Sequence, residues 1–194
     1  MIPLNNARIT SPYGIERAIN GKKSIHKGID FVSDSGDREV KAVKAGVVRG
    51  NFNDPAGFGN YVSIQHEDGT RTIYAHLESF KRNVGDKVKA GDVIGIEGTT
   101  GSSTGVHLHL ELRESPYTTK NHVDVAKYLK IKNEYGPVQD IDEQEEKLAT
   151  HEDKVKFVQD CVGYDENTCR YIFQYYKYGP EALDKLVVAL GGKI

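Results

Sequence analysis

Residues 106–112 read Val106-His107-Leu108-His109-Leu110-Glu111-Leu112, a strict alternation of apolar and polar side chains. Successive side chains of a β-strand point to opposite faces of the sheet. A strand here therefore presents two imidazoles and the Glu111 carboxylate on one face, and leucines on the other. The leucine face predicts a buried core beneath this strand, and the polar face predicts a chemically active surface above it.

The residues before this stretch also show a pattern that is typical of β-strands. From Arg8 onward, short β-branched and aromatic segments alternate with glycine-containing turns. Evenly spaced short strands with turn signals between them are typical of all-β domains. We therefore expect a mainly β fold, an antiparallel sandwich or curled sheet, with strands near residues 40–48, 61–65, 70–74, 93–97 and 106–112.

The C-terminal part of the chain differs in composition. Residues 139–153 are acidic around a single lysine, which predicts a solvated linker. Residues 154–194 contain three apolar patterns at helical spacing, interrupted at Gly163 and at Gly179-Pro180. This pattern predicts a small three-helix bundle. It would serve either as a binding module, or as a helical cap or homodimerisation element.

Composition excludes several classes of protein. The formal net charge of -2 over 194 residues provides no positive field for holding nucleic acid. No segment approaches the roughly 20 apolar residues of a membrane-spanning helix, so we expect no membrane insertion. Two cysteines are too few for a disulfide scaffold or a cysteine-ligated zinc site.

A second group of polar residues lies at His26-Lys27-Gly28-Ile29-Asp30. In an extended chain, the even spacing of His26 and Asp30 places both side chains on one side. Together with one imidazole of residues 106–112, they would supply the nitrogen and oxygen donors of an open, catalytic zinc site. The residues alone leave open whether His107 or His109 is the third ligand. Glu111, on the same face, is a candidate acceptor for a ligand's ring N–H.

These segments occur in a characteristic order along the chain. His26-Lys27-Gly28-Ile29-Asp30 is followed by Tyr74-Ala75-His76-Leu77, by a glycine-rich stretch at 98–105, and by His107-Leu108-His109. The chain therefore resembles the zinc metallopeptidases of the lysostaphin and LytM type, the M23 peptidase family. The resemblance covers about residues 9–114, and the HxxxD and HxH motifs together are its most specific part.

The resemblance implies a fold of the lysostaphin type over residues 1–138, with Zn²⁺ as the cofactor. It implies that His26, Asp30 and His109 bind the metal, and that His107 and His76 are the catalytic histidines. It does not settle which of the two is the general base. The implied substrate is a peptide bond of bacterial peptidoglycan, in a stem peptide or a cross-bridge. With this substrate, the binding module at residues 154–194 would bind the cell wall or a partner.

The first residues of the chain show neither the basic nor the apolar segment of a signal peptide. We therefore expect a protein that is made in the cytoplasm and acts on the cell wall after release. A bacteriophage endolysin or a virion component would fit this description.

Two other interpretations compete with a peptidase. A catalytically silent zinc-binding relative would activate another wall hydrolase, but such a protein is expected to lose ligands, and all five positions are filled here. Residues 84–94 also resemble a biotinyl or lipoyl carrier segment. A carrier needs a modifiable lysine at the following hairpin tip, where this chain has Gly95-Ile96-Glu97.

Overall fold

Residues 1–19 and 22–141 are described by a computed structural model of the chain, and they form a mainly antiparallel β structure. The first strands are β1 (Ala7–Ser11), β2 (Glu16–Ile19), β3 (Lys22–Ile25), β4 (Ile29–Ser33), β5 (Glu39–Lys41), β6 (Gly46–Asp54) and β7 (Gly59–Gln65). The others are β8 (Arg71–Leu77), β9 (Ser79–Phe80), β10 (Lys87–Val88), β11 (Val93–Ile96), β12 (Leu108–Arg113), β13 (His122–Val123) and β14 (Gly136–Pro137).

One large sheet organises the described residues. Its strands follow the order β10-β6-β7-β8-β12-β4-β1-β14, with β13 paired to β12 as the ninth strand. A three-stranded sheet, β5-β11-β9, and the β2–β3 hairpin complete the β structure. The expected mainly β, antiparallel fold is confirmed.

The prediction of one strand over residues 40–48 is wrong, because this segment contains parts of two strands. β5 ends at Lys41 and belongs to the small sheet, whereas β6 starts at Gly46 and belongs to the large one. Between them the Val43 N–H donates to the Tyr74 hydroxyl at 2.9 Å. The chain crosses here from one sheet to the other, a change of layer that the apolar run does not reveal.

The helices predicted from the sequence lie outside the residues that the structure describes. Within residues 1–19 and 22–141 there is one helix, α1 (Val125–Leu129), and the chain described there has no helix long and apolar enough to cross a membrane. The three-helix bundle predicted at 154–194 lies outside the described residues, as does the acidic linker beyond residue 141.

Strand β12 lies in the middle of the large sheet, and its side chains point alternately to the two faces of that sheet. Leu108 and Leu110 are completely buried in the main hydrophobic core. The intervening His109 pairs in register with Asp30 of β4 on one side and with Ala75 of β8 on the other. The alternation seen in the sequence thus places imidazole and carboxylate groups on the face opposite the core.

Candidate metal centre

Three donor atoms from two adjacent strands and the turn before one of them form a small triangle. The Oδ1 atom of Asp30 lies 2.7 Å from Nδ1 of His109 and 3.1 Å from Nε2 of His26. The same two nitrogens are 3.1 Å apart, and all three side chains are buried. Among the described residues this is the group of histidine and acidic side chains that is arranged to hold a metal ion.

The turn at Gly28 brings His26 into this triangle. A Cβ atom at Gly28 would collide with the carbonyl oxygen of Leu110 and lie 2.8 Å from the His109 ring. Only glycine therefore allows the chain to pass this close to β12. The Nδ1–H of His26 donates to the Pro12 carbonyl oxygen at 2.8 Å, so its Nε2 carries the free lone pair that faces the triangle.

The nitrogen that faces the triangle is Nδ1 in His109, whereas it is Nε2 in His26. The Nε2–H of His109 donates to Oε1 of Glu111 at 3.1 Å, while Nδ1 faces the triangle. Oε2 of Glu111 accepts from Nε of Arg113 at 2.7 Å and forms an ion pair with Nη2 of the same guanidinium at 2.6 Å. This chain of contacts fixes the orientation of the imidazole and selects Nδ1 as the coordinating nitrogen.

The electrostatics of the triangle follow from these contacts. Burial opposes a charge on His109, yet its hydrogen bonds to Asp30 and Glu111 raise its pKa to about 9. Burial likewise opposes ionisation of Asp30, but its contacts with the imidazoles of His109 and His26 hold the pKa of its carboxyl well below its usual range. Asp30 is therefore an anionic donor, and a metal must displace a proton from His109.

An arginine holds the second oxygen of the aspartate. Nη1 of Arg17 donates to Oδ2 of Asp30 at 2.7 Å and to the Ser11 hydroxyl at 3.2 Å. Oδ1 is thereby left to point at the two imidazoles. Arg17 belongs to the β2–β3 hairpin, to which the sequence assigned no role.

The triangle fits zinc. Zn²⁺ binds imidazole nitrogen and carboxylate oxygen at about 2.0–2.1 Å in tetrahedral geometry, which places its donors about 3.3 Å from one another. The observed separations of 2.7 to 3.1 Å need only a small expansion. Two nitrogens and one oxygen from the protein also leave the fourth position open, as in catalytic zinc sites.

Two further histidines lie beside the triangle. The rings of His76 and His107 are 4.7 Å apart, and Nε2 of His107 lies 4.0 Å from Oδ1 of Asp30. Each ring donates its Nδ1–H to a backbone carbonyl at 2.8 Å, His76 to Thr100 and His107 to Gly105. In both rings Nε2 is therefore the free nitrogen.

His76 is unusual both in its charge and in its backbone conformation. Burial is the main reason that the pKa of its imidazole falls to about 4, so the ring is neutral at pH 7. Its φ of 63° lies in the left-handed region, which is unusual for a residue with a side chain. Strain of this kind is concentrated at functional sites.

An open groove of about 610 Å³ passes over these residues. Its walls come from the β2–β3 hairpin, from the loop between β6 and β7, and from the loop that precedes His107. The side chains along it outside the metal triangle include Arg17, Lys27, Asp54, Phe58, Ser102 and Thr104.

All five residues that the sequence singled out converge on this groove. The triangle contains His109 and not His107. Arg17 and Arg113 were not found from the sequence. Arg17 belongs to a polar stretch whose hairpin pairing was not expected, and Arg113 lies one residue beyond the alternating segment.

The comparisons with known proteins agree with this geometry. The family model described as "Peptidase family M23" matches residues 24–125, which is more than half of the chain. The DD-carboxypeptidase/endopeptidase Mpg of Neisseria meningitidis serogroup B is 42% identical over 112 residues, covering 57% of this chain and 25% of Mpg. The chain thus spans about a quarter of the length of the curated relatives it matches.

Solved structures show the same fold. The catalytic domain of the antimicrobial peptidase lysostaphin from Staphylococcus simulans has a TM-score of 0.59 at 35% identity, covering 64% of this chain and 93% of that domain. A zinc-containing peptidase from Vibrio cholerae has a TM-score of 0.52 at 30% identity, covering 63% of this chain and 37% of that protein. The described fold is therefore of the lysostaphin type, and the chain belongs to peptidase family M23.

Proposed function

We propose that this chain is a zinc-dependent endopeptidase that hydrolyses peptide bonds in bacterial peptidoglycan. The observation that carries the proposal is the joint placement of a three-donor metal triangle and two free imidazole nitrogens in one groove. The similarity to lysostaphin and to Mpg, named as an endopeptidase, supports the choice of reaction.

His26, Asp30 and His109 would hold the zinc ion. When bound, zinc supplies Lewis-acid chemistry that polarises a peptide carbonyl and increases the acidity of water. The protein contributes the fixed orientation of the three donors. The Pro12 carbonyl and the Glu111 carboxylate each hold one imidazole in the required tautomer.

His107 is the proposed general base. Its Nδ1–H is held by the Gly105 carbonyl, so the lone pair on Nε2 faces the triangle, 4.0 Å from Oδ1 of Asp30. A nitrogen in this position accepts a proton from a water molecule that attacks the substrate carbonyl, and it returns that proton to the leaving amine.

His76 is the proposed partner of this base. Its imidazole is neutral at pH 7, and the Thr100 carbonyl holds its Nδ1–H. The Nε2 lone pair then accepts a hydrogen bond from the attacking water and fixes its orientation. The 4.7 Å separation of the two rings lets both contact the same water molecule.

The proposal is tested by measuring the release of new amino groups from purified peptidoglycan. We expect release by the wild-type protein, loss of release with a zinc chelator, and restoration by added Zn²⁺. His107→Ala should abolish release and retain zinc. His122→Ala is the matched control, because His122 bonds to Tyr13 outside the groove and should leave the rate unchanged.

A specific result would refute the proposal. If the wild-type protein binds zinc but releases no amino groups from walls of several chemotypes, the chain is not a peptidase. That outcome would instead favour the silent activator of another wall hydrolase.

A further inference from the structure

The face of the large sheet that carries the metal centre continues well beyond the metal ligands. Residues that pair directly across antiparallel strands point to the same face. Glu111 pairs with Ile73, and Ile73 pairs with Ser63 of β7. Tyr61 lies two residues from Ser63 along β7 and pairs with Phe52 of β6. Phe52 and Tyr61 therefore lie on the same sheet face as the metal centre.

A series of rings connects this pair to the centre. The rings of Phe52 and Tyr61 are stacked, with centroids 4.9 Å apart and planes inclined by 26°. Tyr61 contacts Phe58 edge-on at 5.5 Å, and Phe58 stacks on the ligand His109 at 5.7 Å. We call Phe52, Phe58 and Tyr61 the aromatic platform.

The outer end of the aromatic platform is exposed. Phe52 retains 45% of its accessible surface. Strand β10 pairs only with Val47 and Gly46 of β6, so it does not reach Phe52. Exposed apolar surface that is continuous with a polar groove marks a binding surface.

A carboxylate group also lies on the same face as the aromatic platform. Asp54 lies two residues after Phe52 on β6, hence on the same face, and its side chain lines the groove. An exposed ring with a carboxylate beside it is suited to a ligand that offers both C–H groups and hydroxyl groups.

We propose that the aromatic platform binds the glycan strand of peptidoglycan while the groove holds the peptide. The electron-rich face of an aromatic ring attracts weakly positive hydrogens, and the flat side of a pyranose ring presents several C–H groups. The groove at the metal centre would hold the peptide in an extended form. In peptidoglycan the peptides branch from the sugars, so the peptide and the glycan strand would reach the same face of the enzyme together. This inference rests on the proposed function, since it names the second component of the same substrate.

The test separates sugar binding from peptide cleavage. Phe52→Leu keeps an apolar side chain and removes the ring, and Tyr135→Leu is the matched control. Tyr135 is 67% exposed and lies next to β14, at the far edge of the large sheet. Two measurements are made on the full chain: titration with soluble N-acetylglucosamine oligomers, and hydrolysis of intact cell walls against a soluble wall peptide without sugars.

The expected result is a selective loss. Phe52→Leu should weaken oligomer binding and slow wall hydrolysis by about fivefold, the effect of one aromatic contact. Its rate on the free peptide should match that of wild type, and Tyr135→Leu should match wild type in every assay. If Phe52→Leu equals Tyr135→Leu on both oligomers and walls, the inference is overturned.

Failure of the proposed function gives a different pattern. A wild-type protein that cleaves neither walls nor peptide refutes the peptidase, but the oligomer titration still decides whether the aromatic platform binds sugar. If Phe52→Leu instead changes the sedimentation of the protein and leaves oligomer binding intact, the face is an interface between two copies, and sugar binding is refuted.

Discussion

Glu97 is a buried carboxyl group that makes the stability of this protein depend on pH. The residue follows β11 and is only 1% exposed, and its Oε1 has no hydrogen-bond partner among the described residues. Burial raises the pKa of its carboxyl to about 7, despite a backbone N–H from Ser33 and the nearby charge of Arg38. The folded protein therefore holds Glu97 protonated in a range where the unfolded chain ionises it.

The sign and size of the effect follow from proton binding. Between about pH 4.5 and pH 7 the folded state binds more protons than the unfolded state, so the free energy of unfolding falls as the pH rises. A shift from 4.5 to about 7, at 1.36 kcal/mol per unit, amounts to about 3 kcal/mol. This contribution is complete below pH 4.5 and is lost above pH 7.

Glu97→Gln removes the titration and keeps the shape of the protonated side chain. We expect the variant to equal wild type near pH 4.5 and to exceed its stability by about 3 kcal/mol at pH 8.5. Urea unfolding followed by circular dichroism across this range measures the difference, in which all other titrations cancel. The exposed Glu39→Gln should follow wild type throughout. A difference between Glu97→Gln and wild type that is constant with pH would refute the argument.

Two further predictions concern the site, and a third concerns the stability of the fold. Glu111→Ala removes the acceptor of the His109 ring N–H and should weaken zinc binding by about 10- to 100-fold in competition with a chromophoric chelator; equal affinities would contradict the role given to Glu111. His107→Gln should lower kcat on a wall peptide by about 10²- to 10⁴-fold with little change in KM, and a change confined to KM would count against a general base. Gly59→Ala should destabilise the fold by about 1–3 kcal/mol, because Gly59 has a φ of 61° and its Cβ would collide with the Thr100 backbone; an unchanged melting temperature would contradict this.

The fold could be predicted where the pattern was local. Alternation at residues 106–112 predicted which face of β12 packs in the hydrophobic core, because side-chain direction in a strand depends only on the period of two. The break between β5 and β6 could not be predicted in the same way. It depends on a contact between Val43 and Tyr74, 31 residues apart, and the residues around the break are as apolar as those of a strand.

The sequence singled out residues that the structure brings together in one groove, but it did not predict their geometry. The spacing of His26 and Asp30 suggested one extended segment, whereas β4 starts at Ile29 and His26 lies before the Gly28 turn. Arg17 contacts Asp30 across 13 residues of sequence, a pairing that no local pattern marks. The tautomers of His26, His76 and His107 depend on backbone carbonyls, which are the same in every residue and leave no trace in a sequence.

In the candidate site the central strands carry the metal donors, whereas a hairpin and loops form the groove walls. This arrangement has a consequence for engineering and evolution. The donors lie on or next to β4 and β12, in the middle of a nine-stranded sheet, and these strands belong to the part of a fold that opens last. The groove walls come from a hairpin and two loops, the parts of a structure that tolerate replacement most easily. Grafting a new sequence onto the loop between β6 and β7 should therefore change substrate preference. The hairpin and the loop before His107 must instead keep the Arg17 side chain and the carbonyls of Thr100 and Gly105, which orient the site.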